Sequence, residues 1–239
     1  MNKGDLVQKV YMEIIDSNGN SSKEETLLIS DEVLNVCIKN ANGERSLGSI
    51  TCLPDRIDEL VTGILYRRGI ISAYSDIVSV SINRECANDV LVTLKDSADI
   101  WKEKELLPLS ASAEYRSEWI FSLAKTFFED TPLHKETGAT HSCILAKGEK
   151  ILFSVEDSGR HNAVDKAVGY AVINETDLEK CMIFTSARVS YEMVGNVINA
   201  GIPLLISKSI PTLKAVELAR KYKLSLICRA KDDSFCKFS

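Results

Sequence analysis

The chain has no Cys-x-x-Cys pair: its seven cysteines, at 37, 52, 86, 143, 181, 228 and 236, are odd in number and widely scattered. That spacing excludes a zinc ribbon and a disulfide framework. A basic excess is also missing, since 29 Lys+Arg stand against 34 Asp+Glu for a net charge of −5. Phosphate-backbone binding of nucleic acid is not expected from such a balance. No apolar run reaches the roughly 18 residues of a membrane span. The start, Met1-Asn2-Lys3-Gly4-Asp5, lacks the apolar core of a signal peptide. A cytoplasmic protein with neither a nucleic-acid nor a membrane partner is therefore expected. There is no Gly-x-Ser-x-Gly elbow for a serine hydrolase, and no internal repeat or low-complexity tract. What is present is ample apolar material, 45% of 239 residues, enough for one large or two small cores.

To about Leu94 the pattern predicts short strands around a single helix. Val33–Ile38 and Ile77–Ile82 are rich in β-branched residues. Pro54-Asp55 opens a helix with Ile57, Leu60, Val61, Ile64 and Leu65 at i, i+3, i+4 spacing, ended by Gly69. From Asp96 to about Ser117, weak periodicity, Pro108 and the small residues Ser110-Ala111-Ser112-Ala113 predict a connector, so the division is residues 1–113 and 114–239. An amphipathic helix from about Arg116 to Asp130 follows. From Cys143 strands alternate with helices, the pattern of an α/β sheet with helical crossovers. The strands are Ile151–Val155, Cys181–Thr185, Pro203–Ile206 and Leu224–Cys228.

Three of those strands run into loops dense in small and polar residues: Glu156 to Asn162, Ser186-Ala187-Arg188 and Ser207-Lys208-Ser209. Were the strands parallel, the loops would share the carboxyl edge, where open α/β sheets bind ligands. Helix N-termini there favour an anion, and Arg160, Lys166, Arg188 and Lys208 add positive charge. A phosphorylated small molecule fits such an edge. The plainer alternative is that Ser and Asn cap helices and the cations are solvated. His141 and His161 sit in polar surroundings, suited to a ligand contact or to general acid/base work. Close Cys or His neighbours for a metal are absent from the local spacing, so no metal site is expected.

Asp157-Ser158-Gly159-Arg160-His161-Asn162-Ala163-Val164-Asp165-Lys166 resembles the D-x-G-R-H-N-A-V-D-K signature of the formate dehydrogenase accessory protein (FdhD) family. Thr137-Gly138-Ala139-Thr140-His141-Ser142 is similar to that family's T-G-G-x-H-A, and Ser186-Ala187-Arg188-Val189-Ser190-Tyr191-Glu192 to S-G-R-x-S-x-E. Ala200-Gly201-Ile202-Pro203 and the stretch from Pro211 to Ala219 match in place, and the resemblance runs from about Leu34 to the end. It implies a cytidine-deaminase-like α/β domain with a smaller α+β amino-terminal part, working as a cytoplasmic homodimer. Implied partners are a cysteine desulfurase and an apo formate dehydrogenase or another molybdoenzyme. The implied cargo is the molybdenum bis(molybdopterin guanine dinucleotide) cofactor, for which GDP is a mimic. Carried over by motif, the cofactor contacts are Thr137, Gly138, His141, Asp157, Gly159, Arg160, His161, Asn162, Lys166, Ser186 and Arg188, to which the carboxyl-edge reading adds Lys208. The carboxyl-terminal stretch Arg229, Ala230, Lys231, Asp232, Asp233 and Ser234 completes them.

Two departures change what is expected. The family's sulfur-carrying Cys-x-x-C loop falls on Leu107-Pro108-Leu109-Ser110-Ala111-Ser112-Ala113, which has no cysteine. Its R-G-D-R stretch aligns on Lys231-Asp232-Asp233-Ser234, keeping one positive charge, losing another and adding a carboxylate. The leading expectation is a cofactor-binding accessory protein with sulfur transfer lost or relocated and no catalytic residue. One alternative is a sulfurtransferase acting through Cys143, two residues after His141, or through Cys236. Another is an enzyme on a deaminase-like fold acting on a nucleotide-like substrate.

Overall fold

The computed structural model describes residues 6–83, 89–110, 113–129 and 131–239. A hairpin of β1 (Val7–Ile15) and β2 (Ser21–Ile29) forms a two-stranded sheet of its own. Neither is among the predicted strands, because β2 opens on the polar run Ser21-Ser22-Lys23-Glu24-Glu25. Next come β3 (Glu32–Asn40), β4 (Gly43–Cys52), α1 (Ile57–Arg68), β5 (Ile77–Asn83) and β6 (Asp89–Leu94). Their four-stranded sheet has the order β4-β3-β6-β5, with β3 parallel to β6. The predicted apolar stripe of α1 packs on its buried face, against Leu34, Val36, Ile38, Val90 and Val92. Gly69, at φ 73, closes the helix by donating to Leu65 O and Tyr66 O, a left-handed geometry that glycine adopts without penalty.

Beyond the connector lie α2 (Ser117–Glu129), α3 (Pro132–Thr137), β7 (His141–Lys147), β8 (Lys150–Asp157) and α4 (Arg160–Ile173). The chain continues through β9 (Met182–Thr185), α5 (Tyr191–Ala200), β10 (Leu204–Ser207), α6 (Leu213–Lys221), β11 (Ser225–Cys228) and β12 (Cys236–Lys237). The six-stranded sheet has the order β12-β11-β10-β9-β7-β8. It is mixed: β9, β10 and β11 are mutually parallel, while β7 runs antiparallel to both β9 and β8. Because β7 reverses direction between them, β8 and β9 still point the same way. The ends of β8, β9, β10 and β11 and the start of β7 therefore share one edge. One face of the sheet packs on Ile120, Leu123 and Phe127 of α2, the other on α4, α5 and α6.

The two sheets are joined by a close crossing of α1 and α4. A Cβ on Gly63 would lie 1.9 Å from Asp165 O, and one on Gly169 would lie 1.8 Å from Glu59 O. Glycine at both positions lets the two backbones touch. Arg67 on α1 then grips the buried Asp165 carboxylate on α4 through Nε at 2.6 Å and Nη2 at 3.1 Å. No helix of the described residues is long and apolar enough to cross a membrane.

Candidate functional site

The sheet's carboxyl edge is stitched laterally beyond the strands themselves. Ser186 N donates to Ser142 O at 3.0 Å, and Lys208 N to Thr185 O at 3.2 Å. Ser207 Oγ donates to Ala187 O at 2.7 Å and accepts from Ser209 N at 2.9 Å. Arg229 N reaches Ser209 O at 2.8 Å, and Ala230 N reaches Ser207 O at 3.0 Å. The loops after β9, β10 and β11 thus form one continuous rim. Such a rim explains why small hydroxyl residues follow these strands: they satisfy backbone groups where the sheet stops.

At one end of the rim, His141 begins β7, paired with Asp157 at the end of β8. Ser186 Oγ lies 3.4 Å from His141 Nδ1 and accepts from Ser142 N at 3.0 Å. Half-burial lowers the His141 pKa, and nearby Arg160, His134 and Lys208 lower it further, against the opposing pull of Asp157. His161, in the first turn of α4, is lowered likewise by burial first and then by Arg160. Both imidazoles are held neutral, each with one donor and one acceptor nitrogen. His161 Nε2 and Ser142 Oγ are buried without a hydrogen-bond partner among the described residues.

The helices meeting this edge differ at their starts. Ser190 caps α5 by accepting from Met193 N, and Thr212 caps α6 by accepting from Ala215 N. Those two follow the plainer expectation, hydroxyls serving as caps. At α4 the N-cap is Gly159, with no side-chain cap, so its first N–H groups are not engaged by a capping side chain. Arg160 is exposed at that start, Arg188 and Arg229 are exposed farther along the same edge, and Lys208 is half-buried. Arg229 is held at φ 54, and the tip from Lys231 to Ser234 is exposed and closed by Lys231 N donating to Ser234 O. Gly138, at φ 68 after α3, faces open space, and Thr137 Oγ1 donates to Leu133 O within that helix.

The expectation that Lys166 adds charge to this edge is corrected. Its side chain is 0% exposed, with Nζ 2.7 Å from Asp55 Oδ1, 2.7 Å from Asp157 Oδ2 and 3.1 Å from Leu53 O. A buried ammonium is tolerated only among such partners, and these come from the end of β8 and from the segment between β4 and α1. Asp157 accepts in addition from Gly159 N, Leu53 N and Asn162 Nδ2, while Asn162 Nδ2 also reaches Thr51 O at 2.7 Å. Asp157, Asn162 and Lys166 hold the α4 loop in place from beneath, and Ala230 is wholly buried.

Cys143 is also corrected as a candidate nucleophile: it is 0% exposed within β7, and burial raises its thiol pKa. Its register position between β8 and β9 turns it into the core, so proximity to His141 in sequence gives no access. Burial likewise pushes Cys52 up to about 12 and Cys181 up to about 11. Among the described residues no cluster of three or more His, Cys, Asp or Glu could hold a metal ion.

A cavity of about 510 Å³ opens at the opposite, amino edge of the sheet, lined in part by Trp119, Lys147, Lys180, Cys181 and Leu204. The connector runs there, with Ser110 Oγ donating to Glu179 Oε1 and Leu109 N to Tyr222 O. Of the Leu107–Ala113 segment, Ala111 and Ser112 lie outside the described residues.

A family model for the FdhD/NarQ family matches residues 94–239. The chain belongs to that family. Among FdhD relatives, it is 28% identical to a sulfur carrier protein FdhD of Wolinella succinogenes, over 95% of this chain and 86% of the relative. It is 32% identical to one from Sulfurisphaera tokodaii, over 76% and 78% of the two chains. A crystal structure from Desulfotalea psychrophila, described as a formate dehydrogenase accessory protein, superposes with a TM-score of 0.82 at 22% identity, over 98% of this chain and 97% of that one. The FdhD-type fold therefore extends over both sheets, beyond the matched segment.

Proposed function

We propose that this FdhD-family chain is a formate dehydrogenase accessory protein that holds the guanine-dinucleotide form of the molybdenum cofactor against the carboxyl edge of its six-stranded sheet. The continuous rim carries the reading, because it brings the Arg160, Arg188, Lys208 and Arg229 loops onto one edge of a protein that is acidic overall. Arginine suits the task, since its planar fork engages phosphate through paired hydrogen bonds. The uncapped start of α4 supplies further donors beside it, and His161 Nε2 is a further polar atom left without a partner among the described residues. Glycine at 138 leaves room for a ligand to approach the backbone. Relatives named sulfur carrier FdhD support the accessory role.

The layout of β8, β7, β9, β10 and β11, in which β7 alone runs against the others, with helices on both faces of the sheet, is what a cytidine-deaminase-like domain is expected to have. A homodimer is part of the reading. The β1–β2 hairpin exposes Tyr11 at 78% and Ile15 at 68%, and a lone two-stranded hairpin is marginally stable without further packing. An apo formate dehydrogenase or another molybdoenzyme is the proposed recipient, and the cytoplasm the proposed site of action.

Calorimetric titration with GDP tests the site. Wild type is expected to bind, and Arg160→Ala and Arg188→Ala are each expected to weaken binding roughly ten- to a hundredfold, the worth of a charge-assisted hydrogen bond. No binding by wild type, or undiminished binding by the paired variant, overturns the site.

A further inference from the structure

Strands β11 and β12 are antiparallel, and their register sets Cys228 directly opposite Cys236. Opposed residues of an antiparallel pair project from the same face with Cα atoms about 4.5–5.5 Å apart. That separation lies inside the span of about 4.4–6.8 Å that a disulfide bridges. The two thiols differ in access: Cys228 is 0% exposed, and Cys236 is exposed on the outermost strand. Among the described residues Cys236 is the only exposed cysteine, and no other cysteine pairs across a strand with a second one. Because β11 runs parallel to β9 and β10, Cys228 ends at the carboxyl edge, and the next two residues, Arg229 and Ala230, are bonded into the rim.

We propose that Cys236 and Cys228 form a dithiol pair that receives and releases persulfide sulfur beside the anion-facing rim. The choice of sulfur as cargo rests on the accessory-protein reading; the pairing of the thiols rests on strand register alone. In the loading step, the Cys236 thiolate attacks the outer sulfur of a protein or low-molecular-weight persulfide, R–S–SH. The Cys236 Sγ–S bond forms, the donor S–S bond breaks, and the donor leaves as a thiolate. The terminal sulfur can pass to an acceptor nucleophile by the same exchange. Without one, Cys228 attacks Cys236 Sγ, expelling hydrosulfide, which takes the Cys228 proton. Two thiols are then oxidised to the Cys228–Cys236 disulfide while the carried sulfur is reduced to sulfide, and a dithiol reductant resets the pair. Burial and the neighbouring Cys236 push the Cys228 thiol up to about 12, which leaves the exposed cysteine as the one that meets the donor.

The test loads the reduced full-length protein with glutathione persulfide, alkylates it, and maps adducts by peptide mass while sulfide is assayed. Wild type is expected to carry one extra sulfur on Cys236 and then to convert to a Cys228–Cys236 bridge with sulfide release. Cys228→Ala should retain the persulfide on Cys236, and Cys236→Ser should acquire none while binding GDP as wild type does. An adduct on another cysteine, Cys86 included, or no adduct at all, overturns the proposal, as does loading without a bridge or sulfide release. Should Cys228→Ala fail to fold, the wild-type bridge map and the Cys236→Ser result decide the matter. GDP titration reports on the cofactor site separately, so failure of that site and failure of the dithiol are distinguishable.

Discussion

Within Asp157–Lys166, the residues Asp157, Asn162, Asp165 and Lys166 are buried, whereas Arg160 is exposed and Ser158, Gly159 and His161 are half-buried. The buried set bonds downward to Thr51, Leu53, Asp55 and Arg67 of the amino-terminal part. The outward set meets His141 and the rim. One ten-residue segment is thus scaffold on one side and site on the other. The difference is set by helix geometry, since Asn162, Asp165 and Lys166 recur at three- and four-residue spacing on the face of α4 that meets α1. Substitutions on the two sides should fail in different ways.

The largest effect belongs to the scaffold. Lys166→Met removes the ammonium between Asp55 and Asp157 and leaves a buried carboxylate uncompensated, which costs about 3–5 kcal/mol. Urea unfolding followed by fluorescence of Trp101 and Trp119 measures it; a loss under about 1 kcal/mol would show that the cluster is not the tie between the two parts. Next come the glycines at the helix crossing. A methyl at Gly63 or Gly169 would meet backbone oxygen at under 2 Å, so Gly63→Ala or Gly169→Ala must push α1 and α4 apart, at about 1–3 kcal/mol or more. If either variant melts like wild type, the close approach is not constraining.

On the site side the order reverses. Arg160→Ala and Arg188→Ala alter exposed side chains, and unfolding free energy should stay within about 0.5 kcal/mol of wild type. GDP affinity should nevertheless fall as stated above. A variant that lost both stability and affinity would dissolve the distinction between scaffold and site.

Much of the fold was legible, because strands β8 to β11 are short apolar runs and the helices between them carry 3.6-residue periodicity. The shared edge was legible too, because the four predicted strands, β8 to β11, do point the same way. What was missing was β7, the antiparallel strand between β8 and β9, since His141-Ser142-Cys143 reads as polar loop until β8 is seen pairing with it. Lys166 shows the limit most clearly. A lysine three residues beyond a helix's first turn looks like a surface cation, and its partners at Leu53 and Asp55 stand more than a hundred positions away. Cys143 failed for the same reason, because two residues of sequence separation from His141 say nothing about which face of a strand is buried. The Cys228–Cys236 pairing had no local signal either, as a turn of seven residues separates two ordinary cysteines.

The smallest expected effect concerns proton uptake at the rim. Burial, then Arg160, His134 and Lys208, hold the His141 pKa below its ordinary value while Asp157 opposes them. Between the unfolded value of about 6.5 and the lower folded value, the unfolded chain binds more protons. His141 therefore makes the protein less stable as pH falls through that window, and its effect levels off below it. A bound phosphate acts the other way, favouring the imidazolium and raising the pKa. Binding then draws in a proton, so the affinity of wild type relative to His141→Asn should rise as pH drops from about 8 to about 6. The ratio is the quantity to follow, because GDP titrates in the same range and its own change cancels. His141 is half-buried, and solvent screening limits the gain to severalfold. A ratio independent of pH would mean that no phosphate comes near His141, and would confine the anion to the Arg188 and Arg229 side of the rim.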